Sequence, residues 1–285
     1  MPFTLSHAAA VLPGIRRDGS GRGPFLASAL VMGSFAPDMT YFTASVVPGA
    51  MEFGSVTHSL TGVLTVDTLI TAALVGVWLL LREPLAALLP AAWRGRFHAL
   101  ARGAAGGPGG GAGPSAVRAA GAFYLSAVVG SLTHVLWDAF THLDRYGTNT
   151  WPWLSSYYGP FPLYTYLQYG SSVLAAGALL RFLGTALRRI PAGDAPESVP
   201  VLDRVELWGA LVWIAGCVAA GTTVRLVRLF ATHADRVHNP LDVVPTVCFG
   251  AGSGLIAGLV LYAVLLRLWL RFRPATRKPA PTVVR

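Results

Sequence analysis

The residues best suited to chemistry in this chain sit in one stretch, Ser131-Leu-Thr-His134-Val-Leu-Trp-Asp138-Ala-Phe-Thr-His142. On an α-helix, residues four apart share a face, so His134 and Asp138 present an imidazole and a carboxylate side by side. Such a pair can hold one divalent ion, as the two histidines of HExxH do on their helix. His142 falls about 80° around the same helix from His134 and can point into the same cavity. The same spacing also suits a hydrogen-bonded His-Asp pair that stitches two helices together, and the motif alone leaves both readings open.

Further candidates precede this stretch. His58, in Thr57-His58-Ser59, lies at the mouth of an apolar run, where it could also be a helix-start residue. Asp38 follows Pro37 and would equally serve as a helix cap or in an Asx-turn. His7 alone reads as a surface histidine. Brought to one side of a membrane, His7, Asp38, His58, His134, Asp138 and His142 would form a metal site, with Asp38 or Asp138 also placed to take a proton. Mixed His and Asp ligands without Cys favour zinc, manganese or iron, and zinc is the first expectation.

Three other groups are expected to stand apart. Asp67 would lie about 180° around and roughly 13 Å along a continuous helix from His58, so it should not share that ion. It is expected to be protonated or hydrogen-bonded to a neighbouring helix. His98 reads as solvated in a basic linker, and the five-residue spacing of His233 and His238 makes a poor helical chelate.

The elements that must position these groups follow from composition. Of 285 residues, 53% are hydrophobic and only 12% charged, against roughly 25% charged in soluble domains. That balance argues against a water-soluble globule. The net charge of +9 sits in short clusters between uncharged runs, which suits a membrane protein rather than a nucleic-acid binder. Cys217 and Cys248 lie inside apolar runs and support neither a disulfide framework nor a Cys metal site.

A bilayer core of about 30 Å needs roughly 20 apolar helical residues. Five runs qualify: Leu60 to Leu81, Ala119 to Thr141, Phe161 to Leu180, Leu207 to Val224 and Val243 to Leu266. Pro24 to Pro37 is shorter and bounded by prolines, which fits an interfacial or half-inserted helix. The expected fold is therefore all-α, a polytopic membrane helical bundle of about five transmembrane helices plus a short N-terminal interfacial helix. Its parts would be a His/Asp-containing region over 1–180, a C-terminal pair of spans over 181–272 and a basic disordered tail over 273–285.

Basic residues orient the bundle. The loop Arg82 to Arg118 and the tail from Arg267 are rich in Arg, and the positive-inside rule puts both in the cytoplasm of a multi-pass cell-membrane protein. Residues 1–59, 142–160 and 225–242 would then lie outside with the His/Asp site. No cleavable signal is visible at the N-terminus. Gly103 to Pro114 reads as a flexible linker. Tyr146 to Tyr169 carries nine aromatic residues in 24 positions, an interfacial belt or a lid over a lipid-like substrate.

The stretches MPFTLSHAAAVLP, ALVMGSFAPD, THSLTGVLTVD, HVLWDAFTH and LYTYLQYGSSVL, spread from Met1 to about Leu174, resemble a bacterial membrane group known as domain of unknown function 4184. That group is similar to membrane-bound metal-dependent hydrolases of the YdjM type and, more distantly, to the zinc-dependent phospholipase C and P1 nuclease fold. The resemblance implies hydrolase chemistry in a helical bundle. On it, His7 matches the early histidine, Asp38 the aspartate of the first half and His58 the next histidine. His134 with Asp138 matches the HxxxD helix, and His142 the histidine that follows. The soluble enzymes add an N-terminal tryptophan and a final HxxxE pair that this sequence lacks, so one or two ions are expected rather than three.

The leading expectation is thus an integral membrane metal-dependent hydrolase of a phosphodiester or lipid-like ester at the outer face, with membrane lipids as partners. No nucleic-acid partner is expected, because the basic tail follows a span and suits anionic head groups. Two alternatives stay open. Intramembrane Asp67 and Asp138 would also mark an ion or metal transporter, although no internal repeat is evident. The missing HxxxE would also suit a non-enzymatic scaffold that has lost its metal chemistry.

Overall fold

In hydrocarbon the backbone finds no water, so long uncharged runs satisfy their own polar groups as helices. The computed structural model describes residues 3–47, 49–103 and 115–272. Five of its helices are long and apolar enough to cross a membrane: Val66–Ala87, Ala116–Thr141, Leu163–Arg189, Arg204–Thr232 and a fifth whose α-helical part is Val244–Phe272. They are called the first to fifth spans below. The protein is an all-α polytopic bundle. Its one sheet among the described residues is a hairpin pairing Tyr157–Tyr158 with Phe161–Pro162. The linker expected over 103–114, apart from Gly103, and the tail expected over 273–285 lie outside the described residues.

Local chemistry sets the helix starts. Ser115 caps the second span by accepting the Arg118 amide, and Asp203 with Glu206 forms a capping box on the fourth. The first span begins later than its apolar run suggests. Leu60–Leu64 is a separate short helix, and Thr65, at φ −128° and ψ −80°, breaks the chain before Val66–Ala87 begins. The Thr65 and Thr68 hydroxyls donate to the carbonyls of Thr61 and Thr65, both at 2.6 Å. Side chains that bind nearby backbone in this way compete with helix continuity, a feature to which hydropathy is blind. His58 and Asp67 therefore do not ride one continuous helix, and the angular argument separating them does not apply.

Residues 1–59, expected wholly at the histidine end, instead reach across the bundle. From His7 the chain passes through the short turns Ala8–Val11 and Leu12–Gly14 to a tight bend at Gly19. There a Cβ would sit 2.0 Å from the Leu100 carbonyl oxygen of helix Ala91–Arg102, which follows the first span at its far end. Arg16, Arg17 and Arg22 thus join the Arg-rich end of the bundle. The chain returns through helix Ala27–Gly33 to Asp38.

At seven residues, roughly 10 Å of rise, the helix Ala27–Gly33 cannot cross a bilayer. It lies along the second span instead. The Leu26 amide donates to the Ser126 hydroxyl at 2.9 Å, and glycines bring the two backbones together. A Cβ at Gly130 would lie 2.4 Å from the Leu30 carbonyl oxygen, and one at Gly33 would lie 2.6 Å from that of Ala127. Val11, Ile15 and Leu30 form the buried cluster beneath, with Phe25, Val129 and Phe182 packed against it. Non-helical backbone at membrane depth is tolerated because protein surrounds it.

Helix Ala91–Arg102 also changes the reading of His98. Rather than solvated, His98 is 8% exposed, and its burial lowers its pKa from the usual histidine value. The helix turns Phe97 onto Trp78 of the first span, and His98 follows it inward.

The fourth and fifth spans pack closely on each other, with both cysteines free. The fifth ties the pair to the remainder of the bundle. The Tyr262 hydroxyl donates to the Pro84 carbonyl at 3.2 Å, and Ser253 donates to the Phe42 carbonyl at 2.9 Å.

Candidate metal centre

Helical spacing brings His134 and Asp138 onto one face of the second span, and the returning N-terminal segment delivers Asp38 against them. His134 Nε2 lies 3.4 Å from Asp38 Oδ1 and 3.4 Å from Asp138 Oδ2. His58, which ends the short helix Gly54–Thr57, places its Nε2 3.7 Å from each of the same two oxygens. One ligand atom from each of Asp38, His58, His134 and Asp138 lies within 4.8 Å of all the others, and all four residues are buried.

Backbone carbonyls fix both imidazoles. His134 donates its Nδ1–H to the Ser34 carbonyl at 2.7 Å, and His58 donates its Nδ1–H to the Gly54 carbonyl at 3.0 Å. A carbonyl can only accept, so each ring presents an unprotonated Nε2 inward when neutral. Both Nε2 atoms are buried and without a hydrogen bond among the described residues. Asp38 occupies the N-cap position of helix Met39–Thr43, yet its carboxylate makes no capping bond. It accepts the Thr4 hydroxyl at Oδ2, 2.5 Å away, and leaves Oδ1 facing the histidines. Unspent imidazole nitrogens opposite two carboxylates, with both imidazoles and Asp38 held from behind, could hold a divalent cation. The residues present therefore fit a metal ion.

The remaining two expected residues gather on the other Asp138 oxygen. His7, fully buried, stacks on His134 with ring centroids 3.7 Å apart and sets its Nε2 3.4 Å from Asp138 Oδ1. His142 Nδ1 lies 3.4 Å from the same oxygen. His142 does not continue the helix as its spacing suggests. It is the C-cap of the second span in extended conformation, and the Gln168 amide reaches its Nε2 at 3.0 Å. Its side chain is 29% exposed against 5% for Asp138, so the centre opens towards His142. All six expected residues thus meet at one place.

The electrostatics outside the spans match this placement. Burial works against an ionised Asp38, but His134 and His58 beside it hold its carboxyl well below the usual range. Burial also lowers His58, yet the facing Asp138 and Asp38 carboxylates outweigh it and raise its pKa. His7 is pushed well below the usual histidine value by burial and by His134, and burial brings His142 down to about 4. Both are neutral at physiological pH, the form that ligates.

Asp67 is not one of the four clustered residues, and the hydrogen bond considered for it is not made. It is fully buried in the first turn of the first span, and neither carboxylate oxygen has a hydrogen-bond partner among the described residues.

Sequence reasoning missed the groups that hold the ligands. Thr4 and Gln168 carry no recognisable motif, and the Ser34 and Gly54 carbonyls have no residue-type signal at all. Arg145, whose guanidinium donates to the Tyr41 hydroxyl at 3.2 Å, was also missed, as was Tyr41, whose ring lies 5.6 Å from that of His58. The only available hint was that Tyr41 follows Asp38 and Arg145 follows His142 by three residues.

Among known proteins, the model of one family, described as a domain of unknown function (DUF4184), matches residues 1–264. The match runs past the motifs of the first 175 residues and into the fifth span. No curated protein and no solved structure matches the chain.

Proposed function

The chain belongs to the DUF4184 family, and from that premise we propose an integral membrane metal-dependent hydrolase acting on a phosphodiester or lipid-like ester. The observation that carries this reading is the buried quartet Asp38, His58, His134 and Asp138, with two imidazole nitrogens aimed at two carboxylates and without a hydrogen bond among the described residues. Zinc is the ion proposed, held by the quartet, with His7 and His142 against the other Asp138 oxygen. This arrangement also supports the resemblance to YdjM-type hydrolases and to the zinc-dependent phospholipase C and P1 nuclease fold. A divalent ion held there supplies Lewis acidity towards a phosphoryl or ester oxygen and lowers the pKa of a water.

The protein's own residues orient and exchange protons. Thr4 and the Ser34 and Gly54 carbonyls keep Asp38, His134 and His58 in place. Asp38 and Asp138 are the catalytic carboxylates, and Asp138 Oδ1, which faces His142 at the open side, is placed to take a proton and pass it outward. The clustered Arg of the far end put that end in the cytoplasm and the centre at the outer face of the cell membrane.

The test is hydrolysis of a fluorogenic phosphodiester and of labelled phospholipids by the protein in proteoliposomes. Zinc-dependent turnover that disappears in Asp138→Asn is expected; equal turnover in wild type and variant overturns the assignment. The unpartnered Asp67 favours a second reading, an ion pathway through the bundle. Metal uptake into sealed vesicles that depends on Asp67 would support that reading over hydrolysis.

A further inference from the structure

Beside the metal centre lies a cleft of about 620 Å³ whose walls come from three elements. Met39, Thr43 and Phe53, from the segment that follows Asp38, form one wall. Ile70 and Val77 of the first span and Ile256 of the fifth form the sides. Its volume falls within the roughly 300–1,000 Å³ of small-ligand sites.

The lining carries no ionisable group, and its few hydroxyls are already spent on backbone. Thr43 donates to the Met39 carbonyl at 2.8 Å and Thr40 to that of Pro37 at 3.5 Å, and Ser253 shares its proton between the carbonyls of Phe249 at 2.6 Å and Phe42 at 2.9 Å. The lining offers a ligand no charge and no free hydroxyl proton. The contact segment is continuous with the centre, because Met39 and Thr40 directly follow Asp38. Along the first span, the rise from Ile70 to Val77 carries the cleft roughly 10 Å further from the histidine end. The cleft is therefore an apolar slot that starts at the residues following Asp38 and runs along the first span, at the depth occupied by lipid tails.

We propose that this cleft holds one acyl chain of the substrate, so that the hydrolase acts on a membrane lipid rather than on a soluble phosphodiester. The proposal rests on the hydrolase reading only for the word substrate; the acyl site itself stands on the shape and chemistry of the cleft. A chain lying along Ile70 and Ile256 brings the polar end of the same molecule up to Asp38. It also gives a role to the residues that follow Asp38: Met39, Thr43 and Phe53 form one wall of the slot. Ala73 and Ala257, both lining and both small, leave the room that the chain takes.

The test uses the full protein in proteoliposomes containing a phospholipid with a photoactivatable group midway along one acyl chain, and maps the labelled residues by mass spectrometry. Labelling concentrated on Ile70 to Val77 and on Ile256 and Ala257 is expected. Ala73→Phe with Ala257→Phe should reduce it by roughly tenfold through overpacking, while Val212→Phe on the exposed face of the fourth span leaves it unchanged. The same filled variant should keep its bound zinc and hydrolyse a long-chain lipid poorly. Labels spread evenly over the lipid-facing surface overturn the proposal, as does labelling that survives filling. Disulfide-linked dimers of Ala73→Cys would show a second copy in the cleft and overturn it as well. Concentrated labelling with no hydrolysis of any substrate keeps the acyl site and removes the hydrolase reading.

Discussion

His134 donates its Nδ1–H to the carbonyl of Ser34, 100 residues earlier in the chain, at 2.7 Å. This one bond joins the second span to the returning N-terminal segment and fixes which imidazole nitrogen faces Asp38 and Asp138. Positioning of the donor set and docking of the half-inserted helix are thus the same event. Disturbing either should disturb the other.

Gly33→Ala tests that coupling away from any ligand. The added Cβ would meet the Ala127 carbonyl at 2.6 Å, so the helix Ala27–Gly33 must move off the second span. A cost of about 1–3 kcal/mol is expected from such overpacking. Thermal unfolding in detergent should shift down and metal retention should fall with it. A variant that loses stability but binds metal as tightly as wild type would separate the two events.

Thr4→Val removes the hydroxyl that Asp38 Oδ2 accepts while keeping the shape of the side chain. Partners one step behind a metal ligand are typically worth about 10–100-fold in affinity. Competition with a fluorescent chelator should show a loss of that size, and Thr4→Ser should restore most of it.

Zinc retention should fall with falling pH, and the sign follows from His58. Its pKa is raised above the usual histidine value of 6.5 by the facing carboxylates. Protons therefore compete with the ion for His58 from above that pH downward, and metal binding must release them. His142, at about 4, is already neutral across that window and adds no proton there. Calorimetric titrations in buffers of different ionisation enthalpy should show proton release near neutral pH. Its persistence unchanged in His58→Gln would contradict this assignment.

Asp67→Asn distinguishes the metal centre from an ion pathway. Asp67 is buried without a hydrogen-bond partner among the described residues and lies outside the quartet. A charged, unpaired carboxylate in that position is expensive, so the neutral isostere should fold at least as well as wild type. Bound zinc should be unchanged. Zinc lost from Asp67→Asn would extend the site to include it.

The sequence showed some of this more readily than the rest for physical reasons. The five spans and the His134–Asp138 pair were legible because hydropathy and helical period report on many residues at once. Asp38, His58 and His7 became candidates only through topology and resemblance, since each alone fits a cap, a helix start or a surface position. The break at Thr65 and the crossing of Arg16 to Arg22 to the far end were hidden, because both depend on backbone geometry and long-range packing. His98 was misread because a basic neighbourhood says nothing about which face of helix Ala91–Arg102 turns inward. The Ser34 and Gly54 carbonyls could not be found from residue types, because every residue carries one.

The most direct measurement is the metal content of detergent-purified protein by mass spectrometry, wild type beside the double variant His134→Ala, Asp138→Ala. About one to two equivalents of zinc in the wild type, lost in a variant that still purifies as a folded helical protein, is the predicted result. Equal metal in both proteins, or none in the wild type after purification with zinc present, would contradict the account.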